Sequence, residues 1–309
     1  MTIPLLKSAL LLAIGLVTTL SHAVEVRFAP VAPGVFAFVG EKGGRTYENE
    51  GLNANIGLVV TSSGALLVDS GASYLGAKQI HEAVKKVTSQ PVKWVINTGG
   101  QDHRWLGNGY FLAQGTEVIG HASARADMLA RGGDHMNSLR LELKEKLDGT
   151  VPALPSRWLD GSHQTLNLGG TVVEVKYLGG AHTPGDVVVW LPGQRVAFSG
   201  DVVYVDRMLG VLPVSHTGRW LQSFAALQAL QPERIVPGHG EVCDLATAQA
   251  HTRDYLVALR AHMKRAVDDG AEISAAIKAF DARPWKGLLN AAQLHPGNAS
   301  RTYLELERE

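Results

Sequence analysis

The chain has 309 residues, 45% of them hydrophobic and 19% charged, a globular composition with room for one large core or two modest domains. Its 29 basic residues balance 29 acidic ones, so zero net charge gives no general pull toward nucleic acid or an anionic membrane. The single cysteine, Cys243, excludes an intrachain disulfide.

Lys7 is the only charge in the first 23 residues, and an apolar run from Ser8 to Leu20 follows it, ending at Ser21-His22-Ala23. A basic start, a short apolar stretch and small residues at a cleavage point read as a secretory signal over residues 1–23. An uncleaved anchor or a buried strand would be the structural alternative. No second stretch of about 20 apolar residues occurs, so the mature chain, residues 24–309, is expected to be soluble and secreted or periplasmic.

Alternation predicts edge strands over 24–28 and 35–39, and the Gly-, Glu- and Asn-rich segment 40–55 reads as a loop. Strands 56–60 and 65–69 flank Ser62-Ser63-Gly64 as a hairpin. Helical spacing covers 73–88, and strands follow at 91–96 and 116–119. Residues 122–149 have helical spacing with an expected break at Gly132-Gly133. Strands return at 164–168, 171–178, 187–191 and 196–198, then a helix at 220–230 and a strand at 234–237. Helices are expected at 245–268, 272–280 and 303–307. Two rounds of strands followed by helix, with no linker between them, predict an α/β domain of two sheets with helices outside.

Several apolar strands end abruptly in His or Asp. Ile96-Asn97-Thr98 leads to Asp102-His103, Gly179-Gly180-Ala181 to His182, Phe198-Ser199-Gly200 to Asp201, and Val236-Pro237-Gly238 to His239. Loops at one edge of a sheet can bring such residues together, and three imidazoles with two carboxylates suit Zn²⁺. Taken singly, each is more ordinarily a hydrogen-bonded structural His or a turn-forming Asp.

The ordered set resembles the metallo-β-lactamase superfamily over roughly residues 30–245, with Leu66 to Gly71 similar to its strand ending in Asp-x-Gly. The resemblance implies a four-layer αββα sandwich with metals at one edge between the sheets. Where the family reads T-H-x-H-x-D-H, this chain reads Thr98-Gly99-Gly100-Gln101-Asp102-His103, one residue shorter when Asp102-His103 is matched to the final pair. On that match the first metal position keeps only His182, with Asp201 as a bridge. The second keeps Asp102, His103, Asp201 and His239. Gln101 is a poor zinc ligand beside imidazole. His121, His135, His216 and His295 are the remaining imidazoles that could help the first position.

The resemblance implies a hydrolase with one Zn²⁺ bound by Asp102, His103, Asp201 and His239, and with His182 orienting the attacking water. Asp102 and His182 are the expected catalytic residues, and an ester, thioester or lactam the expected small-molecule substrate. Arg207 or Arg219 could meet a substrate carboxylate or phosphate, and Arg104 and Trp105 could narrow the pocket mouth. A non-catalytic binding protein on the same fold is the alternative, favoured by the two absent histidines. An iron-dependent oxygenase is weaker, because the family's iron branch uses a first-motif histidine missing here. The Gly99–Asn108 loop also resembles a periplasmic branch found near quinoprotein and sulfur-oxidation systems, which would imply a periplasmic protein partner.

Overall fold

A computed structural model describes residues 24–309; residues 1–23, expected from sequence to be a secretory signal, lie outside the described residues. The first sheet has seven strands in chain order: β1 (Ala29–Ala32), β2 (Val35–Phe38), β3 (Ile56–Val60), β4 (Ala65–Val68), β5 (Val92–Ile96), β6 (Glu117–His121) and β7 (Arg157–Leu159). Strands β1 to β4 pair antiparallel and β4 to β7 parallel. The second sheet runs in the order β12 (Arg234–His239), β11 (Val196–Tyr204), β10 (Val187–Leu191), β9 (Thr171–Tyr177), β8 (His163–Leu168). Only its β11–β12 pair is parallel.

The helices are α1 (Tyr74–Val87), α2 (Asp102–Trp105), α3 (Asn108–Ala113), α4 (Ala122–Leu143), α5 (Thr217–Ala229), α6 (Leu245–Ala248), α7 (Asp254–Asp268), α8 (Ile273–Ala279) and α9 (Ala291–Leu306). Three apolar clusters hold the layers. Val35, Leu66, Ile119, Leu166, Val189 and Phe198 pack between the two sheets. Ala77, Ile80 and Val84 of α1 cover the outer face of the first sheet, against Leu58 and Leu67. Trp220 and Phe224 of α5, with Leu259 of α7 and Tyr303 of α9, cover the outer face of the second. This is the αββα sandwich that the sequence pattern implies.

Local chemistry sets the element ends. The Ser73 hydroxyl caps α1 by accepting from Gly76 N at 2.9 Å, and Lys85 and Lys86 sit favourably in its last turn. Thr61 closes the β3–β4 turn, with its amide and hydroxyl both donating to Gly64 O at 3.0 and 2.7 Å.

Four expectations about elements are corrected. Residues 24–28 form no strand, although Val26 and Phe28 are buried against the first sheet. Helix α4 runs unbroken through Gly132-Gly133. A Cβ on Gly132 would lie 3.3 Å from the Trp105 ring, so this glycine serves close packing rather than a break. Helix α9 begins at Ala291, well before residue 303, and carries Pro296 inside it. Strand β11 continues past Asp201 to Tyr204, with register shifts against β12 on both sides of Gly200. Such irregularities re-aim side chains near functional sites. Here they lie next to Asp201, in the middle of β11.

Candidate metal centre

The structure brings together His103 at the start of α2, Asp201 in β11 and His239 at the end of β12, with their ligand atoms all within 4.8 Å of one another. All three are buried. His103 Nε2 lies 3.2 Å from Asp201 Oδ2, and His239 Nε2 lies 3.5 Å from Asp201 Oδ1. A tetrahedral ion with bonds of about 2.0–2.1 Å places neighbouring ligand atoms roughly 3.3 Å apart.

The other ring nitrogens fix the tautomers. His239 Nδ1 faces the Asn53 carbonyl oxygen at 2.6 Å and must donate to it. His182 Nδ1 faces Gly210 O at 2.7 Å and must do the same. Both neutral rings therefore carry a bare Nε2, and that of His239 faces a carboxylate oxygen. Two acceptors facing each other call for a cation between them. His103 Nδ1 stands 3.0 Å from Asp102 Oδ1, the orienting carboxylate contact typical of a ligating imidazole. This donor set fits one divalent ion.

The five residues singled out by sequence are not placed alike. His103, Asp201 and His239 converge. His182 lies outside that trio, at the edge of a cluster with Tyr204 and Trp220, ring centroids 5.8 Å away in each case. Asp102 is also outside it: one oxygen is held by Arg45, the other by the His103 amide at 2.7 Å.

Arg104 and Trp105 do not stand at a pocket mouth, since both are fully buried, and the role that sequence reasoning missed is that of Arg104. Its guanidinium is fully buried and all five of its N–H groups are used. Nε and Nη2 grip Asp201 at 3.2 and 2.6 Å, and Nη2 also reaches Gly238 O at 3.0 Å. Nη1 reaches Asp69 Oδ2 at 3.0 Å and Asn55 O at 3.3 Å. Gly238 is required there, since a Cβ would meet Asp201 Oδ1 at 2.5 Å and Arg104 Nη2 at 2.6 Å. A signal was available in the sequence. Counted without a gap, the seven residues from Thr98 put His103 and Arg104 where the family motif has its Asp and last His.

The ground around Gly99 and Gly100 is filled by other side chains. A Cβ on Gly99 would lie 2.2 Å from Asp186 Oδ1, and one on Gly100 2.4 Å from Asp127 Oδ2. Arg131 of α4 grips Asp127 at 2.6 and 2.5 Å and donates to Gln101 Oε1 at 3.0 Å. His121 and His295 hydrogen-bond to Gly161 O and Tyr255 respectively, and His216 caps α5 beside Glu305. His135 is buried with both ring nitrogens unpartnered.

Segment 40–55 closes over the centre. Lys42 pairs with Asp206 and Glu241 at 2.9 and 3.1 Å, Arg45 with Asp102, and Glu50 with Lys146 at 3.0 Å. Arg207 donates to Gly43 O at 2.9 Å and has no carboxylate partner among the described residues. Its Nε is buried and unpartnered.

Burial dominates the electrostatics. It pushes the imidazoles of His103, His135 and His182 down to about 4, aided by Arg104 at His103 and by Arg131 at His135, and holds that of His239 well below its ordinary value, aided by Arg207. Burial opposes ionisation of Asp201, but the Arg104 guanidinium, with smaller shares from His103 and His182, outweighs it and holds this carboxyl well below its usual range. Asp186, buried and facing the Asp201 charge, is pushed up to about 8. An imidazole with a depressed folded pKa contributes stability above about 6.5, and that stability is lost as pH falls toward the folded value. Asp186 and Asp69, whose carboxyls burial pushes up, work in the opposite direction, while His81 and His295, also pushed down by burial, add to the four rings above. The metal-free protein is therefore expected to lose stability steadily between about pH 6.5 and 4, measured by denaturant titration at a series of pH values. A flat profile there would show that these rings are not buried as neutral groups.

A sequence profile of the Metallo-beta-lactamase superfamily matches residues 49–239. The chain is 29% identical to the "Metallo-beta-lactamase type 2" of Bacillus sp. (strain 170), covering 68% of this chain and 75% of that protein. It is 25% identical to the "Metallo-beta-lactamase type 2" of Elizabethkingia meningoseptica, covering 81% and 94%. Among solved structures, a metallo-beta-lactamase from Pontibacter korlensis superposes with a TM-score of 0.60 at 22% identity, over 75% of this chain and 99% of that one. The metallo-beta-lactamase FIM-1 from Pseudomonas aeruginosa, in its mono-zinc form, gives 0.59 at 21% identity, over 75% and 95%.

Proposed function

We propose, since this chain belongs to the metallo-beta-lactamase superfamily, that it is an exported hydrolase working with a single zinc ion held by His103, Asp201 and His239. Metal-dependent hydrolysis of a small molecule is the activity its family membership supports. The observation that carries the one-ion reading is the spacing of those three ligand atoms, with a bare Nε2 on His239, beside a first position filled by Arg131, Asp127 and Gln101. Zinc held by three protein ligands supplies Lewis acidity and a water ionised near neutral pH.

The chain's own residues do the rest. Asp102, fixed by Arg45, orients the His103 ring. Arg104 keeps Asp201 ionised. His182, neutral and with its Nε2 bare, orients the attacking water by accepting a hydrogen bond from it. Arg207, a cation without a carboxylate partner, supports a substrate carrying an acidic group beside its ester, thioester or lactam bond. No helix among the described residues is long and apolar enough to cross a membrane, which suits release to the periplasm after cleavage at residue 23.

Elemental mass spectrometry of residues 24–309 is expected to find one zinc per chain. Chelation should abolish hydrolysis and, relative to protein with free zinc at a hundredfold excess over Kd, lower stability by about 2.7 kcal/mol. Two ions per chain would contradict the filled first position. No zinc after supply and removal of the excess would sink the hydrolase reading.

A further inference from the structure

The three ligands of the metal centre have almost no contact with solvent: His103 exposes 6% of its surface, Asp201 1% and His239 2%. Neither an ion nor a substrate reaches them unless part of the chain moves. The part that crosses over them is the arm 41–48, between β2 and β3. Its neck is closed by Glu41 N, which donates to Leu52 O at 3.1 Å. Asn49 braces it from within, donating to Gly44 O at 2.8 Å and accepting from Thr46 N at 2.9 Å. The arm thus has a shape of its own, independent of what it covers.

It is fastened at three points. At one end Lys42 bridges Asp206 and Glu241, on the side of the second sheet. At the other, Tyr47 donates to Glu145 and lies under the Lys146 ammonium, 4.0 Å from its ring centre. Between them Arg45 pairs with Asp102. The middle of the arm reaches each ligating imidazole through one side chain. Arg45 holds Asp102, whose Oδ1 stands 3.0 Å from His103 Nδ1. Gly43 O accepts from Arg207 Nη1 at 2.9 Å, and that nitrogen lies 3.4 Å from His239 Nδ1. One movement therefore covers the centre and sets the groups behind both rings. The Lys42 end is solvent-exposed, and such ion pairs hold weakly. Groups behind a ligating imidazole, in contrast, govern how tightly the ion is kept. Weak fastenings at the ends and strong coupling in the middle are the properties of a latch.

We infer that the 41–48 arm gates zinc exchange: the ion enters and leaves only while the arm is lifted, and the closed arm retains it. This rests on the single-zinc reading above. The test is stopped-flow measurement of zinc uptake and of zinc release to a chromogenic chelator, in wild type, Lys42→Gln and Arg45→Ala. Lys42 touches neither a ligand nor a group that orients one. Its replacement frees the end of the arm, so uptake and release should both rise by about fivefold, with little change in affinity. A residue that merely stabilised the bound ion would change release alone. Lys42→Arg keeps the charge and should restore the wild-type rates. Arg45→Ala also frees Asp102, so release should rise by about 10–100-fold and affinity fall. Opening has a second readout without metal. Trypsin should cut the zinc-free protein after Arg45, whose side chain is only 22% exposed, faster in Lys42→Gln than in wild type. Stoichiometric zinc with both rates unchanged in Lys42→Gln overturns the gate and leaves the single-zinc reading standing. Faster release with unchanged uptake, or unchanged cleavage after Arg45, also overturns the gate alone. A wild type that takes up no zinc overturns both.

Discussion

Replacing Arg104 by alanine is expected to lower the unfolding free energy by about 3–5 kcal/mol, the range for breaking a buried ion pair from one side. Removal of this side chain leaves Asp69 and Asp201 buried without their counter-ion, together with the carbonyls of Asn55 and Gly238. Asp69 retains its bonds from Thr98, at 2.7 Å from the amide and 2.8 Å from the hydroxyl, but Asp201 is left facing two imidazole Nε2 atoms that carry no proton to donate. Arg104→Lys restores the charge on one nitrogen and cannot span both carboxylates, so it should recover only a minor part of the loss. The loss should be smaller when zinc is present, because the ion compensates Asp201. Urea denaturation of the metal-free and loaded proteins measures all of this. A change below about 1 kcal/mol in the metal-free protein would show that the guanidinium does not hold the two sheets together here.

His103→Ala is expected to abolish stoichiometric zinc binding and hydrolysis, whereas Asp102→Ala keeps the ion and binds it about 10–100-fold more weakly. The physical reason is position. His103 presents Nε2 to Asp201, while Asp102 is turned to Arg45 and to the Nδ1 side of the same ring. Loss of a ligand removes a bond to the ion; loss of the carboxylate behind it leaves the ring freer and less basic. Competition of each variant with a chromogenic chelator gives the affinities. If Asp102→Ala lost zinc as completely as His103→Ala, the Asp102 carboxylate would itself be a ligand, as matching it to the family's Asp implies. If both variants kept full affinity, the ion would not bind at this centre.

Local pattern determined much of this protein. The continuous apolar run Ile56–Val60, the Ser62-Ser63-Gly64 turn and the apolar spacing of Ile80, Ala83 and Val84 depend on near neighbours, so the strands and α1 were legible. The abrupt change from apolar to polar residues at Asp201 and His239 likewise marked an edge where chemistry gathers, and the order of the motifs pointed to the family. Tertiary structure decided what one sequence window does not contain. The extra residues of α9 and the unbroken α4 depend on packing partners far along the chain, such as Trp105 against Gly132. The role of Arg104 depends on Asp69, Asn55, Asp201 and Gly238, brought to one point from β4, the 40–55 segment, β11 and β12. A one-residue choice of register in Thr98–Arg104 exchanges which side chains face the centre, and a run of residues carries no measure of direction. Direction came only from the short helix α2, which turns His103 and Arg104 toward Asp201 and leaves Asp102 to Arg45. Composition and spacing could specify that an ion-binding edge exists; which atoms line it is set by burial, because each buried charge must find its partner across the whole fold.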